Sequence, residues 1–452
     1  MNTAIVRVAP KETRQTMEGF GASGAWWAQA VGGWPEDVRA EIMKLLYSKT
    51  EGLGMTTYRY NLGGGSKESG KGNFPNPGRR ASSFLREDGS YDWNRDAEAV
   101  WCLKEAVRHG ADDVVFFVNS PPGRWTVSGT AQGKIPFQAN LRRGCEADFT
   151  RYVLDVTEHF LADGIPVRSV SPINEPFGPW IEKAGQEGCH YHPAGVRRLL
   201  RRFAEEMGRR PGLQNVLLSG AENNDLRLMN KTYTRAVLND PLIRTRLDGI
   251  DIHGYVFKPL EFLDDAGVRR RFRRYMARQY PDVPVRLTEW THMRGGRDYG
   301  MDSALEQART MAADLSALNV VSWQCWVAVS PEDFCDGLIY INQEARTFDI
   351  PKRYYAFGNF TKFIPRGAVR VDAGASDPRL TALAFRDGDR FVCVLINPAG
   401  ETVPASLALE GAPLPRQAAL HVTSDTQSLA AAEADPKAFS LPPRSVSTLV
   451  VG

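Results

Sequence analysis

Short apolar runs alternate with longer amphipathic stretches over most of the chain. Eight of the short runs predict strands, at residues 16–21, 55–60, 113–119, 169–174, 216–221, 249–253, 285–289 and 321–326. The stretches between them have helical periodicity, for instance at residues 36–47, 94–109, 147–162, 195–207, 259–279 and 303–318. Strands that alternate with helices predict parallel βαβ units. Eight such units favour an α/β fold of the (β/α)8 TIM-barrel type, with a doubly wound parallel sheet as the alternative.

The pattern changes after about Pro365, where helical periodicity stops. Alternating segments follow at residues 380–385, 390–396, 405–409, 418–423 and 445–451, which predicts a C-terminal antiparallel β-sandwich. The strand at residues 4–8 precedes the barrel and has no helix to pack it, so we expect it to join the sandwich. The predicted division is therefore residues 1–15 in the sandwich as its N-terminal strand, 16–362 in the barrel and 363–452 in the sandwich.

The charge pattern argues against a polyanionic partner. The formal net charge is only +3 over 452 residues, and the arginine clusters near residues 200 and 271 have the spacing of solvated helix faces. We therefore expect no nucleic-acid partner. No apolar run reaches the ~20 residues of a membrane span, and the N-terminus lacks the apolar centre of a signal peptide. The chain as written is expected to be cytoplasmic, although a trimmed secreted protein would have the same pattern. The oligomeric state stays open.

Two glutamates follow predicted strands at the end where barrel active sites lie. Glu175 stands in Asn174-Glu175-Pro176 after the fourth strand, and Glu289 ends the seventh in Thr288-Glu289-Trp290. One glutamate at such an end is usually a solvated or salt-bridged residue, but two with Asn or aromatic neighbours predict a working pair. Glu222 follows the fifth strand without the Asn-Glu-Pro context, and it ranks third.

A pair of carboxyl groups suits the cleavage of a glycosidic bond. One carboxyl must protonate the leaving oxygen, and the other must trap or shield the oxocarbenium-like carbon. Environments that separate the two pKa values allow both roles at one pH. Asn174, beside the acid, is placed to bind the sugar 2-OH, a contact that strengthens in the transition state.

Six motifs carry a family resemblance over most of the length. They are Gly19-Phe20-Gly21-Ala22-Ser23-Gly24, Tyr58-Arg59-Tyr60-Asn61-Leu62-Gly63-Gly64, Asn119-Ser120-Pro121-Pro122, Asp251-Ile252-His253-Gly254-Tyr255, Leu287-Thr288-Glu289-Trp290 and Leu441-Pro442-Pro443-Arg444-Ser445-Val446. With Asn174-Glu175-Pro176, they make the chain resemble glycoside hydrolase family 30, of the clan whose catalytic glutamates follow barrel strands four and seven. The resemblance implies a retaining β-glycosidase with Glu175 as acid/base and Glu289 as nucleophile, and a sandwich built from both termini.

The resemblance also implies substrate-binding roles for other residues. Arg59 would orient the nucleophile, Asn119 would face the −1 sugar, and His253 and Tyr255 would supply a sugar contact and a donor to the nucleophile. Trp326, at the end of the eighth strand, would lie under the −1 sugar, because a pyranose offers an apolar C–H face to an aromatic ring. The loop tryptophans Trp27, Trp125 and Trp180 are either further sugar subsites or parts of loop cores.

The substrate prediction rests on two short stretches. Gly24-Ala25-Trp26-Trp27-Ala28 and Asn119-Ser120-Pro121-Pro122 look most like the galactan-acting branch of the family, which implies hydrolysis of β-linked, β-1,6-galactosyl chains. The alternatives are a β-glucosidase or glucosylceramidase, a β-xylosidase, a β-1,6-glucanase, a transglycosylase, or a non-catalytic carbohydrate-binding barrel. Hydrolysis of this kind needs no cofactor.

Two clusters that suggest metal or nucleotide binding are rejected. Cys189-His190-Tyr191-His192 gathers metal-ligand types, but adjacent residues rarely point at one ion, so no metal site is predicted. Gly65-Ser66-Lys67-Glu68-Ser69-Gly70-Lys71 is close to a phosphate-binding loop. Gly72 stands where Ser or Thr would hold magnesium, and the prolines that follow cannot open a helix.

Overall fold

The structure is a computed structural model, and it describes residues 3–227, 229–247, 249–256 and 265–452. It contains two sheets. The first strand, β1 (Ala4–Thr16), belongs to the C-terminal sheet. The strands of the other sheet follow along the chain: β2 (Gly19–Ser23), β3 (Thr57–Asn61), β4 (Asp113–Phe117), β5 (Val167–Ser171), β6 (Leu217–Leu218), β7 (Ala221–Asn223), β8 (Ile250–His253), β9 (Val285–Trp290), β10 (Ser322–Ser330), β11 (Gly337–Asn342) and β12 (Thr347–Asp349).

The central sheet is parallel and TIM-barrel-like. Its path is β6-β5-β4-β3-β2-β10-β9-β8-β7, while β11 extends from β10 and pairs with β12. The predicted fifth strand is divided into β6 and β7, with Ser219 and Gly220 between them, and the two halves lie at the two ends of this path. Every residue of β3 and β9 is buried, as expected for parallel strands covered on both faces.

Helices connect the strands and cover the sheet. Their bounds are α1 (Ala28–Val31), α2 (Glu36–Tyr47), α3 (Ser66–Ser69), α4 (Ala97–Arg108), α5 (Glu146–Ala162), α6 (Pro193–Arg209), α7 (Asn230–Leu238), α8 (Pro241–Arg244), α9 (Asp265–Gln279), α10 (Met301–Ala313) and α11 (Lys352–Thr361). Helix α10 ends in a π-helical turn, Asp314–Leu318. The predicted helix 259–279 matches α9 from residue 265 onward, and its first residues lie outside the described part of the chain.

The C-terminal sheet is mostly antiparallel and includes the N-terminal strand. Its other strands are β13 (Val369–Ala375), β14 (Thr381–Asp387), β15 (Arg390–Asn397), β16 (Val403–Leu409), β17 (Ala418–Thr423), β18 (Ala430–Ala434), β19 (Phe439–Leu441) and β20 (Ser445–Val451). The order is β18-β17-β20-β15-β14-β13-β1-β16-β19. Strand β1 lies antiparallel to β13 and parallel to β16, which places the first described residues in the interior of this sheet.

Two apolar clusters hold the molecule together. The smaller one lies within the C-terminal sheet and includes Val6 and Val8 from β1. The larger one combines the barrel interior with the other face of the C-terminal sheet, since Phe385 and Val446 pack in the same cluster as Phe357 of α11. The sheet therefore shares a core with the barrel. Among the described residues, no helix is both long enough and apolar enough to span a membrane.

Candidate active site

Glu175 lies four residues beyond the end of β5, in a backbone conformation that residues other than glycine rarely adopt. Its φ is +46°, in the left-handed region. Two hydrogen bonds fix this turn: the Glu175 backbone N–H donates to the Glu222 carbonyl at 3.0 Å, and the Trp180 indole N–H donates to the Glu175 carbonyl at 2.7 Å. A non-glycine residue held in this region costs on the order of 1–3 kcal/mol and persists only where its surroundings impose it. The loop thus presents the Glu175 carboxyl in a defined position.

Glu289 lies near the end of β9 and is 5% exposed. Two donors hold its carboxylate. The Tyr255 hydroxyl donates to Oε1 at 3.1 Å, and Arg59 Nη1, from β3, lies 3.4 Å from Oε2. Because each oxygen has one donor, the orientation of this carboxylate is fixed.

His253, the last residue of β8, lies between the acidic groups and has no exposed side-chain surface. Its Nδ1 is 2.8 Å from Glu175 Oε1 and 3.5 Å from Glu289 Oε1, and its Nε2 is 3.5 Å from Glu222 Oε2. Burial alone would lower the pKa of His253, but the surrounding carboxylates raise it to about 10. The imidazole is therefore a cation that donates to carboxylates.

The acidic groups of Glu175 and Glu289 approach each other closely. One oxygen from each and a ring nitrogen of His253 lie within 4.8 Å of one another. These three residues are also of types that can bind a metal ion. Burial raises the pKa of Glu289 to about 7, with Glu175 adding to the rise and His253 and Arg59 opposing it.

The sequence did not predict that Glu222 belongs to the acidic cluster as the partner of Arg59. It is fully buried, and its Oε2 lies 2.7 Å from Arg59 Nη2. Burial tends to raise the pKa of Glu222, but Arg59 and His253 outweigh it and lower that pKa. The signal in the sequence was Arg59 itself, because an arginine inside a buried strand needs a carboxylate partner. Arg59 thus joins Glu222 to Glu289.

A chain of buried amides lies beside the acidic cluster. Asn174 Nδ2 donates to Asn119 Oδ1 at 3.0 Å, and Asn119 Nδ2 donates to Asn61 Oδ1 at 3.3 Å. The Oδ1 atom of Asn174 is buried and has no hydrogen-bond partner within the described part of the chain. A buried acceptor without a partner is unfavourable, so Asn174 is prepared to bind a hydroxyl of a ligand.

Trp326 lies in β10 beside a cavity of about 520 Å³. Its ring meets Trp26 edge to face, with centroids 5.3 Å apart, and contacts Phe117 at 6.3 Å. Phe117 in turn carries the Arg59 guanidinium over its ring at 4.2 Å. These contacts place the cavity next to Arg59, which binds Glu289.

The structure separates the three loop tryptophans. Trp180 is half-buried and supports Glu175 through the hydrogen bond to its carbonyl. Its ring packs against Gly178 and Gly188, where an added Cβ atom would lie 2.3 or 2.5 Å from the ring. For Trp27 the structure favours the loop-core alternative, because Trp27 is 2% exposed and its indole N–H donates to the Ser23 carbonyl. Trp27 still borders the cavity beside Trp326, where Trp26 has the more accessible position.

Trp125 lies apart from the acidic cluster. Its ring is half-buried and packs against Tyr152 of α5, with centroids 5.9 Å apart. A contact between Trp125 and a sugar stays a prediction. The residues that the structure brings together are Arg59, Asn119, Asn174, Glu175, His253, Tyr255 and Glu289, with Trp326 adjoining them.

Comparison with known families explains this arrangement. The sequence model described as "O-Glycosyl hydrolase family 30" matches residues 3–239 and 289–340, which is more than half of the chain and includes both glutamates. The chain belongs to O-glycosyl hydrolase family 30. The protein is therefore an O-glycosyl hydrolase, and its substrate is a carbohydrate.

Three proteins similar to this chain have been characterised by sequence or structure. The endo-β-1,6-galactanase of Hypocrea rufa is 26% identical over 408 residues, covering 81% of this chain and 78% of the relative. An exported protein from Bacteroides fragilis has a TM-score of 0.89 at 23% identity, over 99% of this chain and 100% of the other. The catalytic domain of a family 30 xylanase C from Talaromyces cellulolyticus has a TM-score of 0.76 at 18% identity, over 99% and 100%. The two structural likenesses concern the fold.

Proposed function

We propose that this family 30 hydrolase cleaves β-glycosidic bonds with retention of configuration, with Glu289 as nucleophile and Glu175 as acid/base. The observation that carries the proposal is the close approach of the two acidic groups, since one oxygen of each lies within 4.8 Å of the other. Retaining enzymes place their carboxyls ~5–5.5 Å apart, whereas inverting enzymes need ~6.5–9.5 Å to admit a water molecule. The close approach supports the shorter separation.

The charges around the pair support this division of roles. Three carboxylates (Glu175, Glu222 and Glu289) face two cations (Arg59 and His253), so one added proton makes the cluster neutral. In a buried site the neutral arrangement is favoured. Arg59 and Tyr255 both favour the charged form of Glu289, as the role of nucleophile requires.

In the first step, a Glu289 oxygen attacks the anomeric carbon while Glu175 transfers its proton to the leaving oxygen. The glycosyl–enzyme ester forms as the glycosidic bond breaks. In the second step, the Glu175 carboxylate removes a proton from water, and the water oxygen displaces Glu289 from the anomeric carbon. Two displacements at the same carbon restore the β configuration. Asn174 and Asn119 are placed to bind the sugar 2-OH, and Trp326 to lie under the −1 ring.

For the substrate, we propose β-linked galactan chains with β-1,6 bonds. The support is the relative named an endo-β-1,6-galactanase, which matches most of both chains, together with the loop sequences after β2 and β4. The alternative substrates within the family are β-glucosides, β-xylans and β-1,6-glucan.

We further propose that the central sheet closes as a (β/α)8 barrel through β6 and β7. Their position at the two ends of the sheet path, with only two residues between them, supports closure. We assign residues 1–15 and 363–452 to a β-sandwich and 16–362 to the barrel, which agrees with the pairing of β1 to β13 and β16.

The decisive experiment combines a variant with product analysis. Wild-type enzyme should hydrolyse β-1,6-linked galactobiose or 4-nitrophenyl β-galactoside, and proton NMR of fresh product should show the β anomer first. Glu289→Ala should lose at least a thousandfold in kcat while its circular dichroism spectrum stays that of wild type, and azide should restore turnover through an α-glycosyl azide. Initial release of the α anomer would refute retention, and a panel of other aryl β-glycosides would correct the sugar.

A further inference from the structure

The cavity beside Trp326 lies on one side of the active site. Its walls come mainly from β10 and the loops that follow β2, β3 and β10, with Met293 after β9 and Gln186 from the loop after β5. Four of these strands are neighbours in the sheet, in the order β3-β2-β10-β9. Glu289 belongs to β9, at one end of this group. Glu175 follows β5, which is separated from β3 by β4.

This placement assigns the cavity to one half of the substrate. Glu175 protonates the leaving oxygen, so the leaving group lies on its side of the site. The sugar that Glu289 attacks, and any sugar attached to that one, then extends the other way, toward β10, β2 and β3. The cavity is therefore on the glycone side, beyond the −1 position that Trp326 adjoins.

The cavity walls combine an aromatic surface with a fixed pair of charged groups. Glu332 Oε1 accepts from Arg79 Nη2 at 3.0 Å and from Asn76 Nδ2 at 2.9 Å. The Arg79 guanidinium also lies 4.9 Å from the centre of the Trp26 ring. Both Arg79 and Glu332 have side chains that are 26% exposed. The pair is thus held in one geometry at the cavity surface.

Some polar atoms of this group have no partner in the protein. Glu332 Oε2 accepts no hydrogen bond and Arg79 Nη1 donates none among the described residues, and the Trp26 indole N–H is buried without an acceptor. A sugar ring offers hydroxyls that both donate and accept, and C–H faces that pack on aromatic rings. The volume of about 520 Å³ is in the range of sites that enclose small ligands.

We propose that Arg79 and Glu332 bind hydroxyls of a second sugar on the glycone side, so that the enzyme recognises a disaccharide unit and cuts within chains. This inference rests on the proposed function of the Glu175–Glu289 site. Trp26 supplies the apolar surface, and Asn76 keeps Glu332 in place.

The experiment compares 4-nitrophenyl β-galactoside with 4-nitrophenyl β-1,6-galactobioside, which adds one sugar on the glycone side. Wild-type enzyme should have at least a tenfold higher kcat/KM for the bioside and should release intact disaccharide from it. Arg79→Ala and Glu332→Gln should each lower the bioside-to-monoside ratio of kcat/KM at least tenfold. The matched control is Arg151→Ala, which removes an arginine from an exposed pair with Asp148 on α5 and should leave the ratio unchanged.

The outcomes separate this inference from the proposed function. If wild-type enzyme prefers the corresponding glucosides, the same comparison is made with 4-nitrophenyl β-glucoside and β-gentiobioside. The second sugar site would be overturned if wild-type enzyme removed single sugars from the bioside. It would also be overturned if the variants lowered kcat/KM equally for both substrates. The hydrolase assignment would stand in either case. Wild-type enzyme that cleaves no glycoside would overturn both. Turnover of the monoside by each variant shows that the variant has folded. The product pattern of the wild-type enzyme tests the inference without any variant.

Discussion

Glu222 contributes to the electrostatic field around Glu289, the proposed nucleophile. It is buried with Arg59, and its negative charge is one of the groups that raise the pKa of Glu289. Arg59 reaches both carboxylates, at 2.7 Å from Glu222 and 3.4 Å from Glu289. A change at Glu222 should therefore change the proton affinity of Glu289.

We predict that Glu222→Gln moves the acid limb of the pH–kcat/KM profile to lower pH. Glu289 must be ionised to attack, so activity is lost as pH falls through its raised pKa. Removing a neighbouring negative charge lowers that pKa, and Arg59 is then freer to pair with Glu289. The maximum kcat should fall roughly tenfold or more, because Arg59 and His253 lose a partner that positions them. Stopped assays across the acid range measure both quantities.

The control for this experiment is Glu12→Gln, which changes an exposed glutamate on β1 and should leave the profile in place. An acid limb that stays fixed or moves to higher pH in Glu222→Gln would contradict the electrostatic role.

Single residues were predictable where the strand pattern fixed their position. Glu175 and Glu289 follow recognisable strands, and Arg59, His253 and Tyr255 stand in motifs beside them. Glu222 was underestimated because its partner, Arg59, is 163 residues away in the chain, and pairing at that distance depends on the tertiary fold. Trp27 stayed open between a sugar subsite and a loop core, because Trp26 and Trp27 are adjacent and sequence does not say which of the two rings turns into the core.

At the scale of elements, the glycine-rich loop after β3 binds the side-chain carboxyl group of Glu187. The Glu187 carboxylate accepts from the backbone N–H of Gly64 at 2.7 Å and of Ser66 at 3.0 Å. Gly65, between them, has a φ of +79°, which glycine adopts without cost. The stretch that resembles a phosphate-binding loop thus joins the loop after β3 to the loop that carries Glu175.

We predict that Glu187→Gln destabilises the protein by about 1–3 kcal/mol, since an NH2 group, which accepts from neither backbone donor, replaces one of the two oxygens that a carboxyl group offers. The loss should depend on pH. Burial raises the pKa of Glu187 to about 7, from 4.5 in the absence of burial. A carboxyl with a raised folded-state pKa adds stability below its unfolded value, and this contribution is lost as pH rises through the folded value. Urea unfolding should therefore show a larger difference between wild type and variant below pH 4.5 than above pH 7.

The matched control is Glu182→Gln, in the same loop but without a hydrogen bond to the glycine-rich segment. A difference in stability that is equal at both pH values, or larger at the higher one, would contradict the buried clamp.

Some elements were predicted with both of their ends. Residues 36–47, 418–423 and 445–451 have the predicted bounds. The break of the fifth strand at Ser219 and Gly220 was not predicted, although these two residues interrupt the apolar run there. Helix α11 was also missed, since eight of its ten residues are buried and a helix buried on most sides has no amphipathic period.

At the scale of the whole molecule, α11 joins the barrel to the C-terminal sheet. Asn359, which is fully buried, donates from Nδ2 to the His421 carbonyl and to Thr448 Oγ1, both at 3.0 Å, and Thr448 Oγ1 donates to the Asn359 carbonyl. The sequence predicted both units and the return of the N-terminal strand. The shared core could not be predicted, because the residues that form it come from strands whose two faces are both apolar.

We predict that this shared core makes the molecule unfold as one unit. Asn359→Ala removes the two hydrogen bonds that Nδ2 donates, to the His421 carbonyl and to the Thr448 hydroxyl, which costs about 1–3 kcal/mol. If the two units are coupled, calorimetry should show one transition in wild type and one transition at lower temperature in the variant, with glycosidase activity lost over that same range. Asn94→Ala, at an exposed position, is the control and should melt like wild type. Two separate transitions in Asn359→Ala, with activity following only the upper one, would show instead that the barrel is stable without the sheet. Coupling is the expected result because Phe385 and Val446 cover Phe357, and a barrel released from them would expose that apolar surface to water.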